Sequence, residues 1–282
     1  MKKILIFSLI FIVVITILSL ILAFTHTIPI GEKIALIHIE GVILDSKEII
    51  EEIEDFSDNS SIKAVVLRVD SPGGGVAPAQ EIYEEIIKLK ARKKVVVSMG
   101  SVAASGGYYI SCPADKIVAN AGTLTGSLGV IMEIPNFEGL MEKIGVKTEV
   151  IKSGKHKDMA SIFKSMTDEE RKILQAVLDD VHDQFINAVS EGRNMPYDDV
   201  KKIADGRIFT GRKAKELGLV DELGNLDDAI RLAGRLSGIK GKPNVVFKKE
   251  RISLWEIIGG NLPKELLKDI LPTIKIKYML AL

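Results

Sequence analysis

Ser105 stands in Gly100-Ser-Val-Ala-Ala-Ser-Gly106-Gly107-Tyr108-Tyr109, directly after the β-branched run Val95-Val-Val-Ser-Met99. That order reads as a strand, a tight turn of small residues and a helix start. A hydroxyl placed there gains most as a nucleophile, because small neighbours let a carbonyl approach and the first helical N–H groups can hold an oxyanion. A Ser-Gly-Gly turn also serves simply to change chain direction, so its chemistry depends on a base. The four histidines offer little: His26 lies beside the apolar N-terminal run, His38 inside a strand and His182 on a long helix, which leaves His156 as the loop candidate. There is no His-Glu-x-x-His and no cysteine pair, so neither a metal site nor a cofactor is expected. The Gly73–Gly75 loop lacks the Gly-Lys-Ser/Thr that a phosphate cradle needs.

Lysine is the other available base. Ser153-Gly-Lys155-His156-Lys157-Asp158 follows a predicted strand and precedes a long helix. A solvated basic loop has the same composition. A basic lysine must be neutral near pH 7 although its free pKa is about 10.4, and burial can lower it by up to about 3–5 units. Such an amine needs enclosure and a neutral hydrogen-bond partner. Ser127, between Gly126 and Leu128-Gly129, suits that role.

The elements that position these residues alternate. Ile34–Ile39 reads as a strand ended by a turn at Gly41, and Ser46–Phe56 as an amphipathic helix. Ala64–Val69 is a buried strand broken by Asp70-Ser-Pro-Gly-Gly-Gly75, Ala79–Lys90 a helix, and Val95–Met99 the strand before Ser105. Lys116–Ala119 is a further strand, Gly122–Ser127 a turn, Phe137–Ile144 a helix and Lys147–Ile151 a strand. A long helix is predicted from Thr167 to about Glu191, with Thr167 and Glu170 at capping-box spacing. Gly211–Leu217 and Leu226–Leu236 read as short helices. Alternating strands and helices mark βαβ units with a mostly parallel, buried sheet, an α/β fold.

The chain of 282 residues carries 38 basic and 38 acidic side chains, and no basic stripe with interleaved aromatics, so nucleic acid is not an expected partner. Its single cysteine, Cys112, excludes an intramolecular disulfide and reads as a small apolar core residue. Residues 4–24 are free of charge and would span about 31 Å as a helix, enough to cross a bilayer core. The run is long for a cleavable signal and lacks a good cleavage site. An uncleaved anchor is expected, with Lys2 and Lys3 keeping the N-terminus cytoplasmic and the remainder extracytoplasmic. The tail from Ile252 to Leu282 is apolar-rich and could dock on the domain, on a neighbouring subunit or on the membrane.

Five ordered stretches together closely resemble the short, membrane-anchored signal peptide peptidases of the SppA type, Ser-Lys peptidases of family S49. They are Asp70–Gly75, Met99–Tyr109, Thr125-Gly-Ser-Leu-Gly-Val130, Lys152-Ser-Gly-Lys-His-Lys-Asp158, and Asp205–Gly211 with Gly218-Leu-Val-Asp221. The resemblance implies a Clp protease/crotonase-like fold of repeated ββα units behind one N-terminal transmembrane helix. It implies Ser105 as nucleophile, Lys157 as base with Lys155 on a variable position, and Ser127 as the hydroxyl that holds the lysine amine. It assigns the oxyanion hole to Gly73 or Gly74 together with Gly106. The organisation it implies is a cytoplasmic stub 1–3, a membrane anchor 4–24, a linker 25–33, a peptidase domain 34–240 and an apolar extension 241–282.

By the same resemblance the substrates are signal-peptide remnants and similar apolar peptides at the membrane. The resemblance also implies a ring-like homo-oligomer, an octamer, in which serine and lysine come from adjacent protomers. A stomatin-associated membrane protease would share the motifs but cut a protein partner. A crotonase-like acyl-CoA enzyme or inactive scaffold would share only the fold.

Overall fold

The computed structural model of the chain describes residues 10–19, 32–248 and 277–279. Helix α1 (residues 10–19) is part of the apolar N-terminal run, and its side chains, such as Phe11 and Ile12, are exposed. Among the described residues no helix is long and apolar enough to cross a membrane. The rest of the expected 4–24 span, His26, linker residues 25–31 and residues 249–276 of the C-terminal extension lie outside the described residues.

The body is a mixed α/β fold. Strands β1 (Lys33–Ile43), β2 (Ile62–Gly75) and β3 (Lys94–Ala104) pair in parallel, with α2 (Lys47–Asp58) and α3 (Val76–Arg92) in the connections. Their side chains alternate between two cores. Ala35, Ile37, Ile39, Val65, Leu67, Val69, Val95, Val97 and Met99 face the larger one, with Ile53 of α2 and Ile82 and Ile86 of α3. Ile34, Leu36, Ala64, Val66 and Val96 face the other, closed by Ala229, Leu232 and Ala233 of α9 (Leu226–Leu236). Burial on both faces explains the continuous apolar runs, and each fully buried Ile or Leu contributes roughly 1.5–3 kcal/mol.

After β3 come α4 (Gly106–Ser111), β4 (Lys116–Ala119) and β5 (Leu124–Gly126), with β4 and β5 both parallel to β3. Helix α5 (Glu138–Lys143) lies in an arm of residues 131–166 in which only Ala160 is buried. Helix α6 (Asp168–Arg193) starts at the expected place, and both halves of the Thr167/Glu170 capping box are made. Helices α7 (Tyr197–Ile203) and α8 (Gly211–Glu216) flank β6 (Ile208–Thr210), which runs antiparallel to β5. Short strands β7 (Glu222–Leu223) and β8 (Asn244–Val246) pair with β4 and β1. Strand β9 (Lys277–Met279) runs antiparallel to the end of β2 and lies against α3 and α4.

Several expectations change. Asp70–Gly75 does not end β2; the strand continues because Gly73 and Gly74 pair with Val42 and Ile43 of β1. A Cβ on Gly74 would sit 2.0 Å from the Ile43 carbonyl oxygen, so only glycine lets the two backbones approach. Likewise β3 runs on to Ala104, and β5 forms inside the expected 122–127 turn. The expected strand at Lys147–Ile151 is absent. Val150 and Ile151 are exposed and pair with no strand among the described residues. Helix α7 and strands β6 to β9 had no sequence signal strong enough to place them.

Candidate active site

Asp70 bulges out of register between β2 and β3. Its carboxylate lies over Gly100, where a Cβ would come within 2.6 Å, and accepts the Val102 N–H at 3.0 Å. The Thr123 hydroxyl donates to the Gly100 carbonyl at 2.7 Å and the Thr125 hydroxyl to the Ala103 carbonyl at 2.6 Å. These three side chains hold 100–104 extended despite its small residues. The strand then reverses within one residue. Ser105 has φ 52° and ψ −117°, a conformation rare outside glycine.

The same sheet brings Ser127 alongside. Ala104 pairs with Gly126 across β3 and β5, so Ser105 and Ser127 each sit one residue past a paired strand end. Neighbouring strands are about 5 Å apart, and the Ser105 N–H donates to the Gly126 carbonyl at 2.8 Å. Ser127 also has φ 52°, and its N–H donates to the Arg207 carbonyl at 2.8 Å. Ser105 is fully buried, and its Oγ has no hydrogen-bond partner among the described residues. An orphaned buried hydroxyl costs free energy that structure alone does not recover.

The first turn of α4 is fixed from below. A Cβ on Gly107 would lie 2.6 Å from the Ser71 carbonyl oxygen, so α4 rests directly on β2. Tyr108 is buried and donates to the Leu219 carbonyl at 2.9 Å; Tyr109 packs between Tyr83 and Phe185 at ring separations of 4.9 and 5.0 Å. Burial pushes the Tyr109 phenol up to about 12, which keeps it protonated at neutral pH. Cys112 is buried as expected, its thiol pushed up by desolvation.

Gly73, with φ 101°, donates its N–H to the Ser71 hydroxyl at 3.1 Å. Gly74 pairs with Ile43 on one side and with Tyr278 of β9 on the other. Of the expected oxyanion donors, Gly106 is at the N-terminus of α4 immediately after Ser105, and Gly73 and Gly74 are on the adjoining end of β2. All three are buried.

Lys157 does not meet Ser105 within one chain. It is exposed on the 131–166 arm, and its ammonium makes no hydrogen bond or ion pair among the described residues. The neighbouring bases are engaged: Lys155 pairs with Glu169 at 2.5 Å, and His156 lies 3.5 Å from the same carboxylate. Beside Ser127 is a cavity of about 420 Å³, lined also by Val130, Leu178, His182 and Gly206. His182, on α6, has its Nε2 buried without a hydrogen-bond partner among the described residues. His38 is exposed on β1 against Glu40 at 3.2 Å. No cluster of metal-ligating side chains occurs among the described residues.

The chain is similar to known peptidases. The family model of peptidase family S49 matches residues 87–240, and that of Clp protease residues 37–125. A candidate protease of Synechocystis, slr0021, is 45% identical over 210 residues, covering 74% of this chain and 76% of the relative. A candidate signal peptide peptidase SppA of Enterococcus faecium is 39% identical over 214 residues, 71% of this chain and 62% of the relative. The chloroplastic serine protease SPPA of Arabidopsis thaliana is 34% identical over 232 residues, 82% of this chain but 33% of the relative. The matched region thus spans less than two thirds of the longer relatives. With more than half of its length matched by the family model, the chain belongs to peptidase family S49.

Proposed function

We propose that the chain is a serine endopeptidase with a Ser105–Lys157 dyad, membrane-anchored through residues 4–24 and acting on signal-peptide remnants and similar apolar peptides. The observation that carries the reading is the buried, unpartnered Ser105 hydroxyl on a strained turn at the start of a helix. The base removes its proton, the oxygen attacks the peptide carbonyl, and the amides of Gly106 and of the Gly73–Gly74 strand end hold the oxyanion; the intermediate then collapses, breaking the C–N bond as the protonated base returns the proton to the departing amine. Water then releases the acyl-enzyme.

The lysine comes from a second copy of the chain. An amine exposed to water carries a proton at neutral pH, so a lysine base needs enclosure. Lys157 lies on an arm whose Leu140, Ile144, Val150 and Ile151 are exposed, an apolar surface that fits a neighbouring protomer. The cavity beside Ser127 has room for an incoming side chain. A ring-like homo-oligomer satisfies both, and it places the membrane anchors on one side.

Turnover of an apolar fluorogenic peptide by the full chain tests the dyad. Ser105→Ala and Lys157→Ala each abolish it, while Lys155→Ala and His156→Ala keep most of it. Full activity in Lys157→Ala sinks the dyad.

A further inference from the structure

The loop that carries Lys157 has no helix or strand. Three successive turns shape it, with Lys157, Met159 and Ser161 each donating an N–H to the carbonyl three residues back at 3.1 Å. Such turns are weak in water, and only Ala160 of this arm is buried. What gathers the loop is ionic. Lys152 lies 2.5 Å from Asp158 Oδ1, and Lys164 lies 3.4 Å from the same oxygen. Lys164 also reaches Glu170 at 2.5 Å. Glu170 is itself 4% exposed and locked into the capping box, accepting the Thr167 N–H at 3.0 Å.

The geometry points to Asp158, shared between Lys152 and Lys164, as a positioning residue that fixes the Lys157 loop to the start of α6 and keeps its own charge away from Lys157. The inference rests on the reading of Lys157 as the base. Isolated surface ion pairs contribute little. Here one largely covered carboxylate joins both flanks of the loop to a rigid helix end, which is a network.

The electrostatics follow from the same contacts. A carboxylate next in sequence to a lysine, if free to turn to it, favours the ammonium and spoils a base. Two other ammoniums occupy Asp158, and the Lys152 hydrogen bond first, then that of Lys164, holds it below the usual carboxylate range. The remaining charges on the loop and first turn of α6 are Lys155 and His156, both at Glu169, then Glu170 at Lys164, and Asp168. Lys157 is the lysine in 152–164 without an ionic partner among the described residues.

Five full-chain variants, Lys157→Ala among them, compared by pH–rate profiles of kcat/KM on an apolar peptide, test this. Asp158→Asn loses activity on the order of 10- to 100-fold, the cost of a misplaced reacting group. Lys164→Gln also loses activity, and the acid limb of its profile moves up by about half a unit, because Asp158 has one cation fewer. Lys164→Arg restores both rate and limb. Lys155→Gln stays close to the parent protein. Parent-like rates and limbs in Asp158→Asn and Lys164→Gln overturn the inference, as does a rate loss in Lys164→Gln with the limb unmoved. Activity in Lys157→Ala instead overturns the reading beneath it; a dead Lys157→Ala beside parent-like clamp variants removes the clamp alone.

Discussion

At the scale of single residues, the chemistry rests on backbone that local preference opposes. Ser105 and Ser127 both hold φ near 52°, a region that costs a non-glycine residue of order 1–3 kcal/mol. The surrounding contacts over-determine it: Ser105 N–H on Gly126, Ser127 N–H on Arg207, and the two tyrosines that pin α4. Gly107 is a tight point of the same kind, since its absent Cβ would lie 2.6 Å from the Ser71 carbonyl oxygen, backbone that has no flexible escape. Gly107→Ala therefore displaces α4 against β2. It should lower kcat on the order of 10- to 100-fold and cost about 1–3 kcal/mol of stability. Turnover and the urea midpoint measure the two effects, and parent values for both count against this account of the turn. The small residues around Ser105 announced an unusual turn in the sequence. The side chains that enforce it, Asp70 and Thr123, act from other strands and carry no local signal.

At the scale of elements, legibility followed the locality of the cause. The α6 start was readable because Thr167 and Glu170 satisfy each other three residues apart. The core strands were readable because burial on both faces leaves continuous apolar runs. The extensions of β2 through Gly75 and of β3 to Ala104 were not, because glycine, proline and serine lack strand preference and are held by partner strands. Lys147–Ile151 shows the opposite error. It has a strand's composition, but pairs with no strand among the described residues. Strand β9 has a consequence at this scale. Its backbone occupies the edge of Gly73–Gly75 that an extended peptide would add to, beside a fully buried Ser105. A chain ending at residue 276 should turn over a short apolar peptide several-fold faster, mainly through a lower KM. An unchanged or higher KM shows that β9 does not compete with substrate.

At the scale of the whole molecule, the two members of the proposed dyad stand apart in one chain. Ser105 and Ser127 meet through adjacent strand ends, while Lys157 stands exposed on an arm rich in uncovered apolar side chains. The sequence resemblance implies a shared site. The geometry supplies its reason: an orphaned hydroxyl, a cavity beside Ser127 and a lysine without an ionic partner among the described residues. The arm's apolar residues make physical sense once a second copy covers them. The most direct test mixes two inactive full-length proteins, Ser105→Ala and Lys157→Ala, under conditions where subunits exchange. Mixed rings would place an intact Ser105 beside an intact Lys157, so peptide turnover should reappear, to roughly a quarter of the parent rate at equal mixing if subunits are drawn at random. Mixed oligomers seen by native mass spectrometry with one variant isotope-labelled, with turnover still at zero, would contradict a dyad built across two chains.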